Sequence, residues 1–545
     1  MKNIMNTLIV LCLLSVIAVK AQNRIETNLS GKGWKLWYDK NASWKDEELY
    51  LPNTDITKIK TYLPTGGWSA LNAPDAKDVS VPGTLEEYFQ EKSGPEGDLK
   101  GVSWWYRKVQ IPNTPSSNRL LLRFEAARYR SEVFINQKLA GYDLTGNTPF
   151  EVDITAFAKP GEMVQLAVRI TDPGGNYDWR DGDMVTWGKY KVPGSHAFGG
   201  ITGRVKLVSC SPIYVDDIYV QNTPSITEIH PQITIVNSTA KETIGDVLIR
   251  LVDKKNPAIE VARKVIKGVK LKVGSNQIAT NIVAPNAKLW DVENPNLYVC
   301  KVSIIEANKT VDEEGKTFGF RWFEPTGQAT NAMFRLNGKR IVLRTAISWG
   351  FWGINGIYPT EEQAEKQIRA AKAMGQNMLS FHRCIGSPIV LEKADELGLL
   401  YYEEPGNYRS GQNLDNPFGH TLMHEKVMRM VKRDRSHPAL IMFNLINEMG
   451  PVNDKLMEEH IADMLDAHKL DPTRTFTHTS AWCRAEDNEQ ARVHLRPNDT
   501  TVYWHGWYDF HHAGGPAVWN QELYKSPTDY YNYTGNKKDI VYWGE

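Results

Sequence analysis

The hydrophobic period of this chain changes at about residue 330, and that change limits the folds open to it. Before it, apolar residues recur at alternate positions in short runs. Val164-Gln165-Leu166-Ala167-Val168-Arg169-Ile170 alternates as a half-buried antiparallel strand must. Leu120-Leu121-Leu122-Arg123-Phe124 and Glu132-Val133-Phe134-Ile135 read as further strands, and together they imply a β-sandwich over residues 22–211. Gln232-Ile233-Thr234-Ile235 and Val247-Leu248-Ile249-Arg250-Leu251 imply a second, immunoglobulin-like β-sandwich over residues 212–325. No helical period of useful length occurs in either stretch.

After Leu336-Asn337-Gly338-Lys339 the pattern becomes strand, polar tip, helix, repeated over residues 326–545. Strands are expected at residues 340–343, 377–380, 398–402, 439–443, 475–478, 501–504 and 539–543. Thr360-Glu361-Glu362-Gln363 reads as a capping box opening a helix that runs toward Gly375. Ser387-Pro388 opens another helix, which Gly398 stops. Apolar strands alternating with amphipathic helices imply a parallel sheet covered on both faces. Seven such strands predict a (β/α)8 TIM barrel lacking its last elements.

Composition narrows the function classes. Lys plus Arg is 64 and Asp plus Glu is 64, so the chain has no basic excess of the kind that marks a nucleic-acid binder. Lys2, the apolar run Leu8 to Val19 and the small residues of Val19-Lys20-Ala21 read as a signal peptide over residues 1–21. That run is short of the roughly 20 residues needed to span a bilayer. The expected product is exported, periplasmic or secreted, with no membrane span. Cys210, Cys300, Cys384 and Cys483 are scattered, which argues against a disulfide framework, and Cys300 sits on the apolar phase of its strand as a buried free thiol.

In barrels of this kind the chemistry lies at the C-terminal ends of the strands. The fourth expected strand runs into Asn444-Leu445-Ile446-Asn447-Glu448 and the seventh into Trp543-Gly544-Glu545. Other tips carry Ser348-Trp349, His382-Arg383, Glu403-Glu404, Ser480-Ala481-Trp482 and His505-Gly506-Trp507. Two carboxylates facing one Trp-lined pocket suit glycoside hydrolysis. One protonates the leaving oxygen, and the other attacks or activates water. By residue type alone, each Glu fits equally well as an ion-paired or solvated strand end. Trp482 and Trp504 likewise fit either stacking on a sugar face or filling the barrel mouth.

Several motifs in order resemble glycoside hydrolase family 2, which includes β-galactosidases, β-glucuronidases and β-mannosidases. Arg433-Asp434-Arg435-Ser436-His437-Pro438-Ala439-Leu440-Ile441-Met442, followed by Asn447-Glu448, is similar to the family's acid/base signature. Val81-Pro82-Gly83, Trp105-Tyr106-Arg107, Phe150-Glu151-Val152-Asp153-Ile154-Thr155 and Gly199-Gly200-Ile201-Thr202-Gly203 resemble its N-terminal jelly-roll domain. Leu289-Trp290, Asn294-Pro295-Asn296-Leu297-Tyr298 and Phe318-Gly319-Phe320-Arg321 resemble its central sandwich. The resemblance implies a retaining exo-β-glycosidase of β-galactoside or β-glucuronide type. Glu448 would be the acid/base, Glu545 the nucleophile, and Asn447 a partner of the sugar 2-hydroxyl. His382, Arg383, Glu404, Trp482, Trp504 and His505 are the remaining candidate substrate contacts. The expected partner is an oligo- or polysaccharide, with a homo-oligomer compatible with the family.

The chain departs from the family's pattern at four places. Ser380-Phe381-His382-Arg383 stands where the family carries an Arg-Thr-Ser-His-like run. No Glu-Thr-His-Gly run follows Glu403-Glu404-Pro405-Gly406, so neither a catalytic metal nor another cofactor is expected. Trp504-His505-Gly506-Trp507-Tyr508 stands where a Tyr often lies beside the nucleophile, which leaves the sugar open. The sequence stops at Glu545, the expected nucleophile, and so reads as a piece of a longer protein. The alternative to an active enzyme is a non-catalytic carbohydrate-binding protein or an inactive fragment.

Overall fold

The computed structural model describes residues 24–91, 99–115, 118–174, 185–194, 198–327, 331–348, 358–406, 416–448, 454–477, 480, 507–510 and 540–543. The expected signal peptide, the strand expected at 501–504 and Cys483 lie outside them. The first sandwich packs a four-stranded antiparallel sheet, in the order Ile25–Asn28, Val205–Cys210, Arg119–Phe124 and Phe150–Asp153, against a six-stranded one. The strand Met163–Asp172 pairs with both Gly101–Gln110 and Arg130–Ile135 inside the larger sheet. Its inward set Val164, Leu166, Val168 and Ile170 is buried, but Ala167, Arg169 and Thr171 on the other face are buried as well, so the strand expected to be half-buried is covered on both faces from Leu166 onward. The second sandwich likewise has two antiparallel sheets, with Cys300 buried between them as a free thiol pushed up to about 12 by burial.

The barrel elements are labelled in chain order: β1 (Ile347–Ser348), α1 (Glu361–Ala373), β2 (Met378–Phe381), α2 (Pro388–Leu397), β3 (Leu400–Glu403), α3 (Pro417–Asp434), β4 (Leu440–Asn444), α4 (Asp454–Leu470), β5 (Thr475–Thr477), β6 (Trp507–Phe510) and β7 (Ile540–Trp543). β1 to β5 form one parallel sheet in sequential order, and β6 pairs with β7 in parallel. Every residue of β4 is buried, as a strand covered on both faces requires. The two groups of strands meet inside the barrel. Trp507 packs edge-on to Tyr402 at 6.0 Å and to Tyr542 at 5.9 Å, and the Trp507 indole N–H donates to Thr475.

Both helix starts expected from sequence form. The Thr360 hydroxyl accepts from the Gln363 N–H while the Gln363 side chain accepts from the Thr360 N–H. Gly398 ends α2 with φ 74°, and a Cβ there would meet the Val292 carbonyl at 2.4 Å. The first barrel strand is not where the sequence put it. Residues Lys339–Ile341 pair antiparallel with Met333–Leu336, and β1 follows only at Ile347. Asn337 and Gly338 both take left-handed φ, 52° and 75°, so the run read as the threshold of the barrel is a tight hairpin turn. The domain division expected at residue 325 falls within the strand Phe323–Thr326, whose Phe323 packs into the barrel core.

The run Arg433–Pro438 before β4 turns out to join domains. The Arg435 guanidinium lies 4.3 Å over the Tyr219 ring and donates to Asp217 at 2.6 Å. Tyr219 in turn donates its hydroxyl to Asp471 at 2.7 Å. Arg321, fully buried, donates to the carbonyls of Pro438 at 3.1 Å and Leu440 at 2.6 Å, and Arg474 donates to Leu440 at 3.0 Å and His437 at 2.6 Å. His437 pairs with Asp395 at 2.5 Å, and Asp395 also accepts the Ala439 N–H at 3.0 Å. Arg321→Leu should therefore cost about 2–3 kcal/mol by stranding the Pro438 carbonyl, read as a lower urea midpoint of the barrel transition.

α3 and α4 are pinned together by Asp463. It accepts from His420 Nε2 at 3.1 Å and His424 Nδ1 at 2.7 Å. The bond to Asp463 raises both imidazoles above 6.5, so their contribution is full below about 6.5 and fades as pH rises through the raised values. Burial would lift Asp463, but hydrogen bonds from His420 and His424 outweigh it and hold the carboxyl low, so its part is lost only as pH falls through that lowered value. Buried His460, drawn down to about 4 by burial, works the other way between 6.5 and 4; Asp463 opposes that lowering, so the variant lowers it further, which changes little at pH 5.5, already above it. Asp463→Asn should lower stability by about 1–3 kcal/mol at pH 5.5 and by clearly less at pH 8, measured by urea unfolding at each pH.

Candidate active site

The tips of β2, β3, β4 and β5 converge on Asn447 and Glu448. β4 ends at Asn444, whose side-chain amide donates to the Ile446 carbonyl at 2.9 Å and so turns the chain locally. Pairing with β5 then resumes beyond the strand end. Ser480 N–H donates to Ile446 at 3.0 Å, and Glu448 N–H donates to the Ser480 carbonyl at 3.2 Å. The Ser480 hydroxyl also accepts from Asn447 Nδ2 at 2.9 Å. Glu448 is thereby fixed by its backbone, while its side chain is left 15% exposed.

Arg383, two residues past β2, closes the arrangement from the other side. Its Nε donates to Asn447 Oδ1 at 2.9 Å, and its Nη2 lies 3.8 Å from Glu448 Oε2. Its backbone N–H donates to Glu404 Oε2 at 2.7 Å, while Glu404 Oε1 accepts from Asn444 Nδ2 at 3.1 Å. Nine described non-glycine residues have positive φ. Seven are Asn, Gln or Ala in turns or bends between strands, and the other two are Arg383 at 55° and Glu448 at 48°. Left-handed backbone at non-glycine residues costs roughly 1–2 kcal/mol and concentrates where surrounding structure enforces it.

Of the residues expected at the site, Glu448, Asn447, Arg383 and Glu404 are brought together. His382 is adjacent and buried, with its N–H on the Ser348 carbonyl at 2.9 Å. Glu545, Trp482, Trp504 and His505 lie outside the described residues. Glu404 is 2% exposed, and both its oxygens accept protein N–H groups. Behind it, Glu403 is fully buried, held by the Gly386 N–H at 2.8 Å and by Arg433 at 3.3 Å. Burial, then the neighbouring Asp434, pushes Glu403 well above the usual carboxylate range, against the opposing pull of Arg433. Burial, then Glu404 and Glu403, likewise raises the Cys384 thiol, which keeps it from acting as a thiolate. Among the described residues no cluster of three or more His, Cys, Asp or Glu is placed to hold a metal.

Sequence reading named the tip that holds Ser480 but gave that residue no role, and it left Asn444 unassigned. Their only signal was position at a strand end. The strain at Glu448 has a direct consequence: Glu448→Gly should be more stable than Glu448→Ala by about 1 kcal/mol, since glycine accepts φ 48° freely. Paired thermal melts of the two variants measure it.

Family models match in the order of the domains. Residues 34–209 match the sugar binding domain of glycosyl hydrolases family 2, residues 213–321 the model named for the family itself, and residues 330–522 its TIM barrel domain. A Formosa agariphila protein named "Putative beta-glucuronidase" is 28% identical over 451 residues, 80% of this chain and 50% of the relative. A beta-galactosidase of Thermoanaerobacter pseudethanolicus is 25% identical over 441 residues, 80% of this chain and 54% of the relative. The chain thus spans about half the length of these curated relatives. A solved family 2 member from Bacteroides cellulosilyticus superposes with a TM-score of 0.69 at 18% identity, over 95% of this chain and 66% of that one. With all three domain models matched in sequence and the same fold in solved members, the chain belongs to glycosyl hydrolases family 2.

Proposed function

We propose that the protein is a retaining exo-β-glycosidase that removes terminal β-linked sugars, of galactoside or glucuronide type, from glycans. The observation that carries this reading is Glu448 held on left-handed backbone at the tip of β4 by Asn447, Ser480 and Arg383. Glu448 gives its proton to the glycosidic oxygen as the C1–O bond breaks, and the Glu545 carboxylate bonds to C1. Water then gives a proton to Glu448 while its oxygen displaces Glu545 from C1. This sequence needs the two carboxyl groups about 5–5.5 Å apart.

Asn447 supports the same reading by valence. Its carbonyl oxygen is taken by Arg383 and one amide hydrogen by Ser480, which leaves the second hydrogen for a sugar 2-hydroxyl. Trp482 and Trp504 supply stacking faces, and His382 and His505 polar contacts. The apolar run Leu8 to Val19 after Lys2 fits export toward an extracellular or periplasmic glycan.

A panel of aryl β-glycosides names the sugar, and Glu448→Gln then tests the assignment. Substrates with poor leaving groups should lose about 10²–10⁴-fold in kcat/KM, and activated aryl glycosides far less, because those depart without a proton. Equal losses on both would remove Glu448 from the acid role.

A further inference from the structure

Residues 261–290, in the second sandwich, hold Arg263, Lys264, Lys267, Lys270, Lys272 and Lys288 and neither Asp nor Glu, in a chain whose cations and anions balance at 64 each. The first five stand exposed on or just past one strand, Glu260–Leu271, at the edge of its four-stranded sheet. We propose that this edge is a docking surface for an acidic polysaccharide, in a different domain from Glu448. Binding there goes beyond the glycosidase reading and does not depend on it.

Register sets which side chains face out. Val247, Ile249 and Leu251 of the neighbouring strand Thr243–Asp253 are buried in the core, so Ile244, Leu248 and Arg250 point away from it, and with them their partners Lys270, Val265 and Arg263. Arg250 lies in turn opposite Lys301 of the strand Tyr298–Glu306, which puts Arg263, Arg250 and Lys301 in one row across three strands. Like charges set opposite one another cost stability. Glu313 answers two of them, accepting from Arg250 at 3.1 Å and lying 3.9 Å from Lys301, and Glu260 answers Arg263 at 2.6 Å. Asp246 takes the Gly268 N–H at 2.8 Å. Lys264 donates to the Asn281 carbonyl at 3.3 Å, and Lys267, Lys270 and Lys272 form no ion pair among the described residues. These lysines are left for an anion from outside.

Edge strands commonly carry lysine to block pairing with other chains, and these charges do repel a second copy of this one. Blocking an edge does not account for Lys272 past the strand end, or for Arg250 and Lys301 on interior strands. Residues 220–289 contain no Phe, Trp or Tyr, so neither a neutral sugar ring nor a nucleic-acid base has a face to stack on. Recognition here is by charge. A rise of about 3.3 Å per residue spreads Lys264 to Lys270 over about 20 Å, which suits an extended polymer with anions along its length. Membership of glycosyl hydrolases family 2 makes a polysaccharide the polymer of choice. Exposed Val265 and Ile244, between the cations, meet the C–H faces of its rings. A chain held there is kept close to the barrel at a raised local concentration.

Affinity electrophoresis of the full chain tests this, in gels holding polygalacturonate or neutral dextran. Polygalacturonate should retard the protein at low ionic strength, dextran should not, and about 0.5 M salt should abolish the effect. Joint replacement Lys267→Gln, Lys270→Gln and Lys272→Gln should weaken binding by about tenfold. The same loss of charge at exposed barrel lysines, Lys366→Gln, Lys455→Gln and Lys469→Gln, should weaken it less than about twofold. Equal weakening in both triple variants would mean that total charge, not this strand, binds the polymer, and overturns the proposal. So does an unretarded wild type, or one held by phosphatidylserine vesicles and not by polygalacturonate. In wild type alone, polygalacturonate should shield Lys267, Lys270 and Lys272 from acetic anhydride and leave Lys366 reactive. Absence of shielding overturns the proposal even if the triple variant fails to fold. Turnover of small aryl glycosides should be the same in the variant as in wild type.

Discussion

The chain is organised around the buried arginine clamp at the start of β4. Arg321 comes from the end of the second sandwich and Arg474 from just before β5, yet both donate to the one carbonyl of Leu440. Guanidinium groups cannot shed their charge in a protein interior, so each must find acceptors wherever it is buried. Here the acceptors include main-chain carbonyls at residues 437, 438 and 440, with Asp471 and Thr473 also accepting from Arg474, and the carbonyl contacts tie down where β4 begins. The strand is five residues long, fully buried and paired on both sides, so a fixed start is also a fixed end. Asn447 and Glu448 lie just beyond that end.

Precision at the tip is bought with backbone strain at two residues. Arg383 and Glu448 both sit at positive φ, and nothing in their own sequence prefers it. Each is enforced by a neighbouring strand. Ser480 accepts the Glu448 N–H through both its carbonyl and its hydroxyl, and Glu404 accepts the Arg383 N–H. The bonds that impose the conformation thus run between successive tips, β2 to β3 and β4 to β5. Loss of any one loosens the geometry of its neighbour as well as its own.

Much of this was legible in the sequence, for identifiable reasons. Strand and helix periods differ, so the two sandwiches and the barrel separate on pattern alone. Caps carry their own chemistry, so Thr360, Gln363, Ser387 and Gly398 could be placed to the residue. The misplaced first strand shows the limit. Arg340-Ile341-Val342-Leu343 has strand composition, but Val342 is 56% exposed, and the left-handed Asn337-Gly338 turn commits Lys339–Ile341 to a hairpin. Composition says that a segment is extended and leaves its partner unnamed. The same gap hid Ser480, because a serine at a strand tip gains meaning only from the register between β4 and β5.

The most recognisable run in the chain, Arg433 to Pro438, makes a further point about what motifs report. Its side chains and carbonyls engage Asp217, the Tyr219 ring, Arg321, Asp395 and Arg474. The contacts to Asp217, Tyr219 and Arg321 join the barrel to the second sandwich, those to Asp395 and Arg474 lie within the barrel, and none of them touches Glu448. A run of this kind is under tight physical constraint because several buried charges must be satisfied at once. The run sets the strand that carries Glu448, and it also meets the wall behind the site directly, where Arg433 donates to Glu403 at 3.3 Å and to the Gly386 carbonyl at 2.7 Å. Keeping the run therefore preserves the fold whether or not the site turns over. The side chains that meet at the candidate site lie beyond the strand ends instead: Asn447 and Glu448 after β4, and Arg383 after β2.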